Sequence, residues 1–474
     1  MPDYDIAVIG AGAAGLSVAN VAAQLGLRTA LIERDRMGGD CLNAGCVPSK
    51  ALLAAAHAAQ AGRDAARFGV RFPDPVVDWA AVQAHLRGVI AGIAPADSPE
   101  RYRKLGADVM LGAACFAGRD ALDVTVGGAT RRITARRIVV AAGSRAATPP
   151  IPGLDAVPFL TNATLFDHPG KPDHLLILGG GAIGLEMAQA HAALGCRVTV
   201  VEAQALAGRE DPELVDVLRQ ALLRAGVALV EGVAVAAVEP GPALLLADGR
   251  RIEGSHLLVA VGRAPNLEGL ALDRGGVAAT PRGVATDQGL RSTTNRRVFA
   301  VGDIADPGGI GPRCLTHVGS YHAGLVVRAA MFRLPARLDY AALPRVTYTD
   351  PELAQAGLTE REARQAGRAI TVLRWPLAEN DRARCERRTE GLVKLVVERG
   401  RVVGAGIAAP HAGEMIGLWT LAIAQRTKLS ALGGMVVPYP TRAEAAKRAV
   451  GTALLPRLFA PRVRALARRL AWLP

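Results

Sequence analysis

Hydrophobic positions near the start of the chain change period twice. Ile6-Ala-Val-Ile9 is a continuous apolar run, as in a strand buried on both faces. After Gly10-Ala-Gly12-Ala-Ala-Gly15, apolar residues return at helical spacing as far as Leu25, and Thr29-Ala-Leu-Ile-Glu33 is again continuous. The succession recurs at His174-Leu-Leu-Ile-Leu178, Gly179-Gly-Gly181-Ala-Ile-Gly184, a helix to Leu194, and Arg197-Val-Thr-Val-Val-Glu202. In both copies an acid closes the second strand 23 residues after the first glycine. Strand, glycines, helix, strand and acid in that order predict a dinucleotide-binding unit. The first glycine permits a tight turn, the second lets backbone approach a pyrophosphate, and the third lets helix and strand pack closely. The helix start then offers N–H groups and a partial positive charge to the phosphates. Glu33 and Glu202 are placed to accept from ribose hydroxyls. Glycines that serve packing alone could account for one copy, but they explain two poorly.

Three further apolar strands end on glycine: Arg137-Ile-Val-Val-Ala-Ala-Gly143, His256-Leu-Leu-Val-Ala-Val-Gly262 and Arg297-Val-Phe-Ala-Val-Gly302, the last followed by Asp303. Joints at Thr148–Gly153 and Ala264–Asn266 read as crossings between domains. From about Arg345 the texture changes. Leu392–Val397 and Arg401–Gly406 predict a hairpin across Glu398-Arg-Gly400, and a long apolar helix follows around Ile416–Ala424. An α+β domain is expected there.

Composition narrows the class. Half of the 474 residues are hydrophobic, which excludes disorder, and six cysteines in that length exclude a disulfide scaffold. The net charge of +13 invites a polyanion reading, but only six basic residues are lysine, and the arginine excess fits a compositional bias. No nucleic-acid motif accompanies the charge, and no nucleic-acid partner is expected. The uncharged stretch from Ile6 to Leu27 is broken by glycines, Ser17, Asn20 and Gln24, so it is not expected to span a bilayer. No basic start precedes it as in a secretory signal, so a cytoplasmic location with reduced cysteines is expected.

Gly38-Gly39-Asp40-Cys41-Leu-Asn-Ala-Gly45-Cys46-Val-Pro-Ser-Lys50 comes just after the first dinucleotide unit. Cysteines five apart do not have zinc-ligand spacing, and no metal site is expected. They can meet across a turn if the helix start is distorted, and a helix N-terminus favours a thiolate. This is the pattern of a catalytic dithiol.

Together the two motifs resemble the flavin-dependent pyridine nucleotide–disulfide oxidoreductases, which include dihydrolipoamide dehydrogenase, glutathione reductase and mercuric reductase. The similarity runs from about Asp5 to Glu444. It implies an α/β chain with two Rossmann-like domains and a C-terminal α+β dimerisation domain, assembled as a homodimer. On this resemblance residues 1–150 and 286–344 form a split FAD domain, 151–285 an NAD(P) domain and 345–450 the interface domain. FAD would lie against Gly10, Gly12, Gly15, Glu33, Gly39, Gly143, Gly302 and Asp303. NAD(P)H would lie against Gly179, Gly181, Gly184, Glu202 and Gly262. Cys46 matches the cysteine whose thiolate faces the flavin, and Cys41 matches the interchange cysteine that meets substrate. Lys50 and Glu186 match the ion pair near flavin N5, and Asp303 matches the aspartate on the ribityl chain. Glu202 favours NADH over NADPH because a carboxylate repels a 2′-phosphate, although Arg209 could contact one.

The family's C-terminal His-Pro-Thr-x-x-Glu reads Tyr439-Pro440-Thr441-Arg-Ala-Glu444 here. A phenol with an ordinary pKa of about 10 cannot replace an imidazole near neutrality. Tyrosine at this place resembles mercuric reductase, as do Asp381-Arg-Ala383 and Leu315-Thr-His317, but the vicinal C-terminal cysteines that deliver Hg(II) are absent. The expected activity is electron transfer from NAD(P)H to a metal ion or other small oxidant. A dihydrolipoamide-dehydrogenase-like reaction on an unusual dithiol, or a membrane-associated electron-transfer role, is the alternative. His317 could supply a proton or metal contact, or simply pack at a helix start. Cys115, Cys196, Cys314 and Cys385 read as buried small hydrophobes, with Cys314 the one possible auxiliary thiol. The tail from Gly451 carries five arginines and no acid. Val463, Leu466, Leu470 and Leu473 make a helical stripe suited to a membrane interface or to packing on the dimer.

Overall fold

A computed structural model describes residues 1–473. The chain forms two compact units, one made of Met1–Lys171 with Leu257–Leu338, the other of Pro172–His256 with Asp339–Pro474.

The first unit is built on a sheet whose parallel part runs Ala107–Leu111, Thr29–Glu33, Tyr4–Ile9, the C-terminal half of Ala129–Val140, and Val298–Ala300. Tyr4–Ile9, Thr29–Glu33 and Val298–Ala300 are almost wholly buried, as in a sheet covered on both faces. Thr29–Glu33 is buried at every position. The N-terminal half of Ala129–Val140 continues into an antiparallel meander with Ala121–Val126 and Ala113–Phe116. Helices Ala13–Gln24 and Thr316–Val326 pack together at their N-terminal ends, where a Cβ on Gly319 would stand 3.1 Å from that of Ala14. Both expected joints, Thr148–Gly153 and Ala264–Asn266, lie within this unit. Arg263–Pro265 is a strand, pairing antiparallel with Ser144–Ala146 rather than looping.

The second unit repeats the motif in smaller form, with parallel strands His174–Leu178, Arg197–Glu202 and Ala228–Glu231 and helix Ala182–Ala193. Its other half is a five-stranded antiparallel sheet, in the order Pro344–Thr347, Glu352–Gly357, Arg401–Ala409, Leu392–Glu398, Thr371–Pro376. The predicted hairpin is present, closing with Glu398 opposite Arg401, and the predicted apolar helix spans Ala412–Ala424. Trp419 anchors the core between this helix, the sheet and helix Ala443–Leu458. Lys394, 3% exposed, reaches Asp211, Glu213 and Glu360 within 2.7–2.9 Å and so ties the two halves of this unit together. Burial disfavours its charge, but the three carboxylates hold its pKa above that of an ordinary lysine.

Each unit also buries a neutral histidine. His191 donates through Nδ1 to the Met187 carbonyl at 2.8 Å, and His322 accepts the Gly302 N–H at 3.1 Å. Burial pushes both down to about 4. The unfolded chain, with histidine near 6.5, therefore binds these protons first. Stability is complete above pH 6.5 and should fall as pH drops toward 4, by up to about 3 kcal/mol per ring. Urea midpoints at pH 7.5, 6.5 and 5.5 check this; a flat series would contradict it.

Candidate dithiol and dinucleotide sites

The sheet register gathers much of the first predicted site on one edge. Ile9 pairs with Ile32 and with Val140, and Val140 pairs with Ala300. Gly10, Glu33, Ala141 and Val301 therefore sit at the carboxyl ends of neighbouring strands, with Gly143 and Gly302-Asp303 just beyond. Strand order reverses between Tyr4–Ile9 and Ala129–Val140, and open α/β sheets take ligands at such a point. Gly10 has φ +105, and a Cβ on it would lie 2.4 Å from the Ala141 carbonyl oxygen. A Cβ on Gly15 would lie 1.9 Å from the Gly10 oxygen, so backbone packs directly on backbone. Gly12 differs: its nearest neighbour is 3.7 Å away, and its face is open at the start of helix Ala13–Gln24. This open face and the uncapped N–H groups of the helix leave room for a pyrophosphate.

The second unit has the same division. Gly179 has φ +112, a Cβ on Gly184 would stand 2.0 Å from the Gly179 oxygen, and one on Gly181 would meet nothing within 4 Å. The two acids also behave alike. Glu33 accepts from Ala11 N at 2.6 Å and Asp35 N at 2.9 Å; Glu202 accepts from Gly180 N at 2.7 Å and Gln204 N at 2.8 Å. Sequence reasoning gave both carboxylates to ribose alone. Each in fact also fastens its own glycine loop, and with about four acceptor positions it keeps capacity for hydroxyls. Gly262 lies where the chain returns from the second unit to the first.

The dithiol segment begins on that first loop. Gly38 donates to the Ala11 carbonyl at 2.9 Å. Gly39, at φ +59, lies so near Gly12 that a Cβ would come within 2.7 Å of the Gly12 Cα. A short helix, Gly39–Asn43, then breaks at Ala44 and Gly45, and a second helix, Cys46–Asp64, starts at the second cysteine. This is the distortion that the spacing requires. Asn162 holds the break, donating to Asp40 Oδ1 at 2.9 Å and to the Ala44 carbonyl at 3.1 Å.

The two sulfurs face one another as thiols. The hydrogen bond with Cys46 and burial raise the pKa of Cys41 well above that of an ordinary thiol. Cys46 is exposed, sits at the N-terminus of a 19-residue helix, and has Thr316 Oγ1 3.2 Å from its sulfur. Cys46 is thus the member of the pair suited to carry negative charge. Lys50 lies one turn along the same helix, with Nζ 3.4 Å from Ser49 Oγ.

Arg263 joins this segment to the predicted ribityl contact. Its guanidinium lies 2.9 Å from Asp40 and 3.4 Å from Asp303, and donates to Ser144 Oγ at 2.6 Å. Ser144 in turn donates to Asp303. Burial raises the pKa of Asp303, partly offset by Ser144 and Arg263. The sequence reading did not select Arg263, Asn162, Thr316 or His322. Only Thr316 had a local signal, its place in Leu315-Thr-His317.

His317 is exposed in the first turn of helix Thr316–Val326, beside the threonine that meets Cys46. In the second unit Glu186 is 4% exposed and accepts from Tyr348 N at 2.9 Å. Lys50 and Glu186 belong to different units. Tyr439 is 68% exposed and donates to Asp381 Oδ2 at 3.1 Å, a bond that raises its pKa further above 10. Glu444 pairs with Arg448 at 2.8 Å, four residues along its own helix. Among the remaining cysteines the expectation of burial holds for Cys196 alone. Cys115 is half-buried, and Cys314 and Cys385 are exposed because they lie at helix ends and in a loop rather than on core faces. Among the described residues no cluster of His, Cys, Asp and Glu could hold a metal ion.

Two glycine-loop crevices and a facing pair of cysteines are the parts of an oxidoreductase that uses two dinucleotides and a dithiol. The chain belongs to the pyridine nucleotide-disulphide oxidoreductases, an FAD-dependent family: the profile of that description matches residues 4–329, and that of the family's dimerisation domain matches 343–450. It is 37% identical over 463 residues to the mercuric reductase of Streptomyces lividans, covering 95% of this chain and 96% of that one. It is 32% identical over 471 residues to the dihydrolipoyl dehydrogenase of Geobacillus stearothermophilus, covering 94% and 95%. Among solved structures it is similar to a Cu(II) complex of the HOCl-induced flavoprotein disulfide reductase RclA from Escherichia coli, with TM-score 0.84, 26% identity and coverage of 95% and 100%. It is also similar to LpdA from Mycobacterium tuberculosis, with TM-score 0.86, 26% identity and coverage of 94% and 99%.

Proposed function

We propose that the protein passes electrons from NAD(P)H through a Cys41–Cys46 disulfide to a small oxidant, a metal ion first among them, as a homodimer. FAD, bound across Gly12, Gly302 and Asp303, supplies the two-electron relay between nicotinamide and disulfide. The chain's own residues do the rest. Cys46 holds the thiolate at its helix N-terminus, Thr316 hydrogen-bonds that sulfur, and Cys41 meets the acceptor, giving up its proton as its sulfur bonds to it. Lys50, one turn along the Cys46 helix, serves as the cation at the isoalloxazine. Glu202, already fixed by two N–H groups, favours NADH, and the exposed Arg209 offers the weaker NADPH contact.

The observation that carries this reading is Tyr439. Where a disulfide reductase needs an acid/base histidine held by glutamate, this chain has a phenol bound to Asp381, and Glu444 is committed to Arg448. A metal ion needs no proton from that position, whereas a dithiol leaving group does. The Streptomyces lividans relative is named a mercuric reductase and has a counterpart here for 96% of its length, which favours Hg(II) among the metal ions. The dihydrolipoamide-dehydrogenase-like reading keeps the Geobacillus relative in its favour. A steady-state panel of Hg(II), Cu(II), quinones, lipoamide and glutathione disulfide separates them. Metal or quinone turnover should exceed both disulfides by about tenfold or more in kcat/KM. Lipoamide turnover at ordinary enzyme rates, about 10 s⁻¹ or more, would overturn the assignment.

A further inference from the structure

One strongly patterned element has no part in that chemistry. Helix Ala443–Leu458 buries Ala445, Ala446, Ala449 and Val450 and packs Ala453 and Leu454 part-buried on the core, whereas the next helix, Pro461–Leu470, buries no residue at all. The family's dimerisation domain also ends at 450. The segment C-terminal to it nevertheless exposes large apolar side chains: Phe459, Leu466, Leu470, Trp472 and Leu473 are exposed, Trp472 by 90%.

The arrangement of charge is specific. At about 100° per residue, Val463, Leu466, Ala467 and Leu470 occupy an arc of about 100°. Arg462 and Arg469 border that arc on one side, and Arg464 and Arg468 on the other. The Arg464 guanidinium lies 5.8 Å from the centre of the Phe459 ring, so its stem lies along apolar surface. No Asp or Glu occurs from Gly451 onward. A narrow apolar stripe flanked on both sides by long cationic side chains suits a helix lying in the plane of an anionic bilayer. There the stripe meets acyl chains and the guanidiniums reach the phosphates. Trp472 at its end suits the headgroup level. Among the described residues no helix is long and apolar enough to cross a membrane, so the contact is peripheral.

We propose that residues 459–473 are an in-plane anchor that docks the protein on anionic lipid surfaces. The test is sedimentation of the FAD-loaded full chain with vesicles of phosphatidylcholine alone and of an equal mixture with phosphatidylglycerol. Binding to the mixed vesicles should exceed that to the neutral ones by at least about tenfold and weaken in high salt. Deleting residues 459–474 should abolish it while leaving NADH-dependent flavin reduction unchanged. The double substitution L466E/L470E, which keeps the full length, should do the same. Equal sedimentation of full and truncated protein would overturn the proposal. So would a truncated protein that is monomeric by light scattering where the full chain is dimeric, since that would assign the helix to a second copy.

Discussion

Cys46→Ser protein is expected to lose the long-wavelength charge-transfer band that develops when the wild type is titrated anaerobically with NADH, and to lose about 10³-fold or more in turnover. Such a drop is at least about 4 kcal/mol of barrier lowering. The asymmetry of the two thiols is the reason. Cys46 heads a long helix with Thr316 on its sulfur, while Cys41 is held protonated by its neighbour and by burial. Serine cannot take up the electron pair, and Cys41 is poorly placed to replace the lost thiolate. Cys41→Ser should behave differently: Cys46 remains, so the band persists even without reductant while turnover is lost. A Cys46→Ser protein that keeps the band would refute the assignment.

The glycine loops are expected to show a comparably large and separable effect. Gly15→Ala places a Cβ against the Gly10 carbonyl at 1.9 Å, so helix and sheet must part, at a cost of about 3 kcal/mol. Gly12→Ala meets protein only at 3.7 Å and should leave the unfolding midpoint nearly unchanged, yet it would fill the place proposed for the pyrophosphate. Its FAD affinity should fall about tenfold or more, or about 1.4 kcal/mol. Flavin absorbance per chain after dialysis, set beside urea midpoints of the apoprotein, distinguishes the two. In the second unit Gly184→Ala and Gly181→Ala should divide the same way, with Gly181→Ala raising the KM for NADH. Equal loss of stability in both members of a pair would remove the distinction between packing and binding glycines.

The parts of this fold that could be read from sequence are those set by short spacings. A strand, three glycines, a helix and a closing acid lie within about 30 residues, and the physics that fixes them is local turn geometry and burial. The hairpin at Glu398–Arg401 and the helix break between the cysteines were legible for the same reason. What escaped depends on tertiary approach. Thr316 reaches Cys46 across 270 positions, Asn162 reaches Asp40 across 122, and Arg263 closes on two carboxylates from different segments. None has a periodicity or motif that marks its contact in advance. The cysteines show a related limit. Apolar character predicted burial for four of them, but exposure depends on the element each ended on, and Cys314 and Cys385 fell at a loop and a helix end.

The break at Ala44–Gly45 has a thermodynamic corollary. A disulfide between Cys41 and Cys46 closes a ring of only six residues, and a loop that short restrains the unfolded chain by about 2 kcal/mol, against about 5 for a loop of a hundred. Both sulfurs are already brought together in the thiol state by Gly45 and Asn162, so the bond does little of the work of holding the fold. In the proposed reaction, a crosslink made and broken in every cycle would thereby be separated from the forces that keep the protein folded.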